Sequence, residues 1–89
     1  MKVTTESGFK CEIDVEALND WELYEILLSG DDKLAETRFI KGVMDKCMSR
    51  EDAQRLKDHV RTESGRIPAN AITNEMLEIM QMVQKEKNS

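Results

Sequence analysis

Apolar and polar positions alternate early in the chain, with Phe9, Cys11 and Ile13 on one side and Lys10, Glu12 and Asp14 on the other. A period of two marks a strand with one buried face. Val3-Thr4-Thr5 stands before this run, and Glu6-Ser7-Gly8 between the two supplies turn chemistry. The pattern predicts a β-hairpin over about residues 2–14. A lone hairpin is barely stable in water, so its apolar side must rest on the elements that follow.

From residue 20 onward the period is that of a helix. Asn19 or Asp20 is placed to cap a first helix over about 20–29, with Gly30 placed to stop it. Leu23, Ile26 and Leu27 form one apolar stripe on it and Trp21, Tyr24 and Leu28 a second, which exceeds what one contact face needs. Asp31 or Asp32 can cap a second helix over about 32–48, in which Ala35, Phe39, Val43 and Cys47 recur every four residues, broadened by Ile40, Met44 and Met48. Gly42 weakens that helix slightly. Ser49, followed three residues later by Asp52, has the form of a capping box. It opens a third helix over about 50–63, with Ala53, Leu56 and Val60 inward and Gly65 ending it. Ile67-Pro68 forces an extended turn. The last helix, about 71–86, carries Ile72, Met76, Ile79, Met80 and Val83 on one side, with Leu77 and Met82 off that stripe, before a polar end that should fray. The whole predicts one small domain, 1–89, mainly α (α+β), in which an N-terminal β-hairpin precedes about four helices.

Composition narrows the core. With 89 residues, 39% of them hydrophobic and only four aromatic side chains (Phe9, Trp21, Tyr24 and Phe39), a single aliphatic, methionine-bearing core is all the chain can build. Net stability is therefore expected to be small, and a partner or a second copy of the chain would raise it. The surplus of apolar helix surface predicts weak self-association.

Charge and cysteine use exclude several classes of function. Residues 1–37 hold three basic side chains against ten acidic ones, and residues 38–89 hold ten against eight, so the net charge of −5 sits in the first half. That half would repel a phosphate backbone, and the second half lacks a basic stripe with interleaved aromatics, which argues against a nucleic-acid partner. The longest apolar run, Ile26-Leu27-Leu28, is far short of the roughly 20 residues that span a bilayer. Two cysteines in a chain that starts without signal-peptide features point to free thiols in a reducing, cytoplasmic setting.

Catalytic and metal chemistry find little footing. His59, the single histidine, stands beside no nucleophile in sequence, and a solvated or capping role suits it better than acid–base work. Cys11 and Cys47 lack the paired spacing of zinc sites, and no glycine-rich loop is present to cradle a phosphate. No enzyme activity, cofactor or metal is therefore expected. Candidate partner-binding residues are Trp21, Tyr24 and Leu28 on the first helix and Met76, Met80 and Met82 on the last, because aromatic anchors and adaptable methionines suit a surface that accepts another protein.

The hairpin ending in Phe9-x-x-x-Ile13-Asp14, followed by Asp20-Trp21-Glu22-Leu23-x-Glu25-x-Leu27, resembles tail assembly chaperones of long-tailed bacteriophages and prophages of Gram-positive bacteria. In the second half, Leu56-x-x-His59-Val60-Arg61-x-x-x-Gly65-Arg66-Ile67-Pro68, then Asn74-Glu75-Met76 and Glu78-Ile79, are similar to features of the same family. The resemblance runs through nearly the whole chain in order, although each motif is short. Gly42–Cys47 departs from it, standing where the family would imply a leucine-leucine-glycine type of helix end. The resemblance implies a cytoplasmic protein that binds the tape-measure protein, keeps its apolar helical segments soluble, helps recruit tail-tube subunits, and is absent from the finished virion.

Two other readings of the residues stand beside it. One is a small helical adaptor or regulatory protein that docks a partner through its apolar helices. The other is a helix-turn-helix regulator, against which the Gly65–Asn70 connection is longer than that motif's usual turn of about three or four residues.

Neither EDTA nor replacement of both cysteines is expected to unfold the chain. Circular dichroism checks this, and loss of helical signal on chelation would reveal a metal that the residue pattern does not provide for.

Overall fold

The computed structural model describes residues 1–28 and 34–87. Its elements are β1 (Lys2–Thr4), β2 (Lys10–Glu12), a 3-10 turn (Glu16–Leu18), and the helices α1 (Trp21–Leu28), α2 (Ala35–Cys47), α3 (Arg50–Val60) and α4 (Ala69–Lys87). The domain is thus a two-stranded antiparallel hairpin followed by four helices. The expected stop at Gly30 and caps at Asp31 and Asp32 lie outside the described residues.

The hairpin pairs Lys2 with Glu12, Val3 with Cys11 and Thr4 with Lys10. Gly8 supplies the positive φ, +91°, that its turn requires, and its N–H donates to the Thr5 carbonyl at 2.9 Å. The alternation is realised: Phe9, Cys11 and Ile13 are buried while Lys10, Glu12 and Asp14 are exposed.

Side chains from every element meet in one core. Val3 comes from β1, Leu23 from α1, and Ile40, Val43, Met44 and Cys47 from α2; Leu56 comes from α3, and Met76, Ile79 and Val83 from α4. α2 is the common neighbour, lying against the 3-10 turn, α1, α3 and α4. It runs unbroken through Gly42 and ends at Cys47, one residue short of the expected bound, where Met48 takes extended backbone. Gly42 does more than weaken the helix. A Cβ at this position would stand 2.8 Å from Leu23 Cδ2 and 3.2 Å from Ile26 Cδ1, so the tips of these two α1 side chains occupy the space beside the glycine and would have to shift for a larger residue.

Local chemistry sets most helix ends. Asp20 caps α1, its Oδ1 accepting from the Glu22 N–H at 2.8 Å. Ser49 caps α3, its Oγ accepting from the Asp52 N–H at 3.0 Å. Asp52 does not reach back to close the capping box. Its carboxylate accepts from Arg55 at 2.7 Å and from the Glu12 N–H at 3.1 Å, which ties α3 to β2. α3 ends at Val60, earlier than Gly65, because Arg61 leaves the helix with extended backbone; Gly65, at φ +88°, instead closes the turn in which its N–H donates to the Thr62 carbonyl. α4 begins directly after Pro68, whose carbonyl accepts from the Ala71 and Ile72 N–H groups, because a fixed φ suits the mouth of a helix.

The Asp52 link makes stability depend on acidity. The hydrogen bond from Arg55, helped by the Glu12 amide and opposed by partial burial, holds the Asp52 carboxyl below the usual aspartate range. Such a group stabilises the fold above its unfolded value, and that contribution is lost as pH falls through the folded one. Asp52→Asn is therefore expected to lower the urea midpoint at pH 7, with the gap to the unaltered protein closing below about pH 4. A gap that persists unchanged at pH 2 would show that the carboxylate's charge is not what ties α3 to the hairpin.

Candidate protein-binding surface

On α1, Leu23 is 1% exposed and Ile26 half-buried, one helical turn apart on the side that meets α2. That is all the apolar surface the core takes from this helix. Trp21 is 67% exposed, Tyr24 47%, Leu27 46% and Leu28 74%. Trp21, Tyr24 and Leu28 fall at i, i+3 and i+7, which puts them along one outward ridge. Leu27, expected to share the inner stripe with Leu23 and Ile26, belongs with the exposed set, because an eight-residue helix packed mainly on α2 hides only a narrow arc. Leu34, also exposed, stands just ahead of α2 and was not expected in the surface.

The methionines separate. Met76 is fully buried in the core and offers nothing to a partner, which corrects its assignment to the binding surface. It lies between Ile72 and Met80 on the inward stripe of α4, and the hairpin and α3 close over that stripe. Met82 is half-buried against the core. Met80 is also half-buried, and it shares a crevice with Tyr24: with Val15, Leu18, Phe39 and Val83 the two line a hollow of about 180 Å3 where the 3-10 turn, α1, α2 and α4 converge. Of the expected site residues, then, Trp21, Tyr24 and Leu28 stand together on α1 and Met80 joins them through the crevice. Val15, Leu18 and Phe39 were missed because contacts among four separate elements leave no local pattern.

A second, wider cleft of about 750 Å3 opens between the end of the hairpin, the 3-10 turn and the junction of α2 with α3. The carboxylates of Glu12, Asp14, Glu16 and Asp52 line it, and Lys46 lies among them. Lys46 also reaches Asp20 and Glu22, at 3.5 Å each.

His59 has a structural task. Its Nε2 is 2.9 Å from the Ser7 hydroxyl, which itself donates to Glu75 Oε1. Because Ser7 has a single hydrogen and gives it to the carboxylate, His59 must be the donor to Ser7. A Ser-His-acid triad would place the acid on Nδ1, whereas Glu75 lies 3.7 Å from the same Nε2 that faces the serine. Thr5 Oγ1 also donates to Glu75, and the Glu6 N–H donates to Glu78 at 2.7 Å, so the cluster fastens the hairpin turn to α3 and α4. Cys11 and Cys47 are free and buried, and burial pushes each thiol up to about 11, far from the thiolate form at neutral pH. Among the described residues no group of three or more His, Cys, Asp or Glu side chains could hold a metal ion, and no helix is long and apolar enough to cross a membrane.

Comparison of the chain with protein-family models, with curated proteins and with solved structures finds no match.

The split between core and ridge has a direct measure. Met76→Ala is expected to lower unfolding free energy by about 2–5 kcal/mol, and Trp21→Ser to change it by less than about 0.5 kcal/mol. Urea denaturation followed by circular dichroism tests both, and a large loss with Trp21→Ser would place that side chain in the fold.

Proposed function

We propose that this chain is a tail assembly chaperone that holds apolar helical segments of a tape-measure protein and helps bring tail-tube subunits to it. The observation that carries the reading is the outward ridge of α1, where Trp21, Tyr24 and Leu28 remain exposed beside the Tyr24–Met80 crevice. Large apolar side chains gathered on one short helix are unfavourable in water unless something covers them. Aromatic and leucine side chains on a ridge, with a methionine in the adjoining hollow, suit a long amphipathic client whose segments differ in detail. The order of motifs from the hairpin to Glu78-Ile79 supports the family part of the reading, and a net charge of −5 favours keeping such a complex dissolved.

Co-expression with a tape-measure protein tests this. The client is expected to stay soluble with the unaltered chain and to precipitate with Trp21→Ser, Tyr24→Ser or Leu28→Ser, each of which remains folded by circular dichroism. The reading fails if every substitution that loses the client also unfolds the chain, or if the client is soluble alone.

A further inference from the structure

One long edge of the α1 ridge is acidic. Glu25 lies one turn from Trp21 (i+4) and next to Leu28 (i+3), and it is exposed; Glu22 precedes it by one turn with its side chain 75% exposed. At the amino end of the helix the acidic surface continues. Lys46 bridges Asp20, the cap of α1, and Glu22 within it, and also lies in the wide cleft lined by Glu12, Asp14, Glu16 and Asp52. An apolar ridge is therefore bordered by the carboxylates of Glu22 and Glu25 along its side, and Lys46 links that edge to a cleft whose four acidic residues are met by Lys46, the Met1 ammonium and, at Asp52, Arg55.

From this juxtaposition we propose that the α1 ridge selects its partner by charge, taking amphipathic helices whose apolar stripe is flanked by lysine and arginine and rejecting those flanked by acids. The inference rests on the reading of α1 as the client-holding surface and adds the class of segment it holds. Covering the ridge removes water from Trp21, Tyr24 and Leu28 and brings the partner's flanking groups alongside Glu22 and Glu25. There, opposite charges speed encounter and fix register, while like charges oppose contact. The ridge of eight residues is about 12 Å long. A partner helix longer than two turns would thus extend past the ridge. A second copy of this chain is the poorer occupant, because antiparallel two-fold pairing of α1 with α1 sets Glu22 and Glu25 of both copies on the same side of the contact.

Trp21 is the sole tryptophan, so its fluorescence reports on this ridge. The full chain is titrated with three synthetic amphipathic peptides that share one leucine stripe and carry Lys/Arg, Gln or Asp/Glu beside it. The basic peptide is expected to shift Trp21 emission to the blue and to bind about tenfold more tightly than the glutamine peptide, with the acidic one weakest. That order should compress at high salt. Glu25→Lys should erase or reverse the order, while Glu63→Lys, the same charge change in the α3–α4 connection, should leave it intact. Equal binding of all three peptides, or equal effects of the two substitutions, overturns charge selection and leaves the client surface standing. If none binds, the client surface falls with it. A blue shift that grows with protein concentration alone makes a second copy the occupant and overturns the proposal.

Discussion

Burial of the inner side of α2 is the interaction on which the rest of the domain depends. Ile40, Val43, Met44 and Cys47 are each nearly inaccessible, and the 3-10 turn, α1, α3 and α4 all lie against this helix. Removing that surface from water is the main favourable term available to so short a chain, at roughly 1.5–3 kcal/mol for each large side chain buried. The absence of a side chain at Gly42 belongs to the same packing, since the tips of Leu23 and Ile26 from α1 fill the space beside it.

Apolar burial does not by itself orient the hairpin, which has three-residue strands and one covered face. Polar links supply that orientation. Asp52 holds the Glu12 amide, Arg55 donates to the Lys10 carbonyl and lies 5.2 Å over the Phe9 ring, and Glu75 and Glu78 receive the turn residues Thr5, Ser7 and Glu6. Among the described residues no buried side-chain nitrogen or oxygen is left without a partner. His59 and Ser7 are used in this fastening, with the serine proton committed to the Glu75 carboxylate.

A core organised around one helix leaves α1 with more apolar surface than it can hide. Leu23 and Ile26 are taken in and Trp21, Tyr24, Leu27 and Leu28 are left out, beside a hollow that Met80 and Tyr24 share. The excess and its acidic border lie on the same helix. Affinity for apolar segments and discrimination among them by charge would then come from one surface, with no moving part required.

Much of the architecture was legible in local sequence. The alternation at Phe9, Cys11 and Ile13, the Asp20 and Ser49 caps, and the four-residue recurrence through α2 each determined an element, because strand period and cap chemistry act over a few neighbouring residues. The outward position of Trp21, Tyr24 and Leu28 was legible for the same reason, as a second stripe on a helix that needed one. What only the tertiary structure decided is where separate elements touch. It buried Met76 and left Leu27 exposed, set Tyr24 and Met80 on one crevice, turned Asp52 from its own helix end to the hairpin, and placed Gly42 beside Leu23 and Ile26. Periodicity states which residues share a side of a helix; how wide an arc becomes buried depends on the neighbours that arrive, and those are fixed by contacts between residues far apart in the chain.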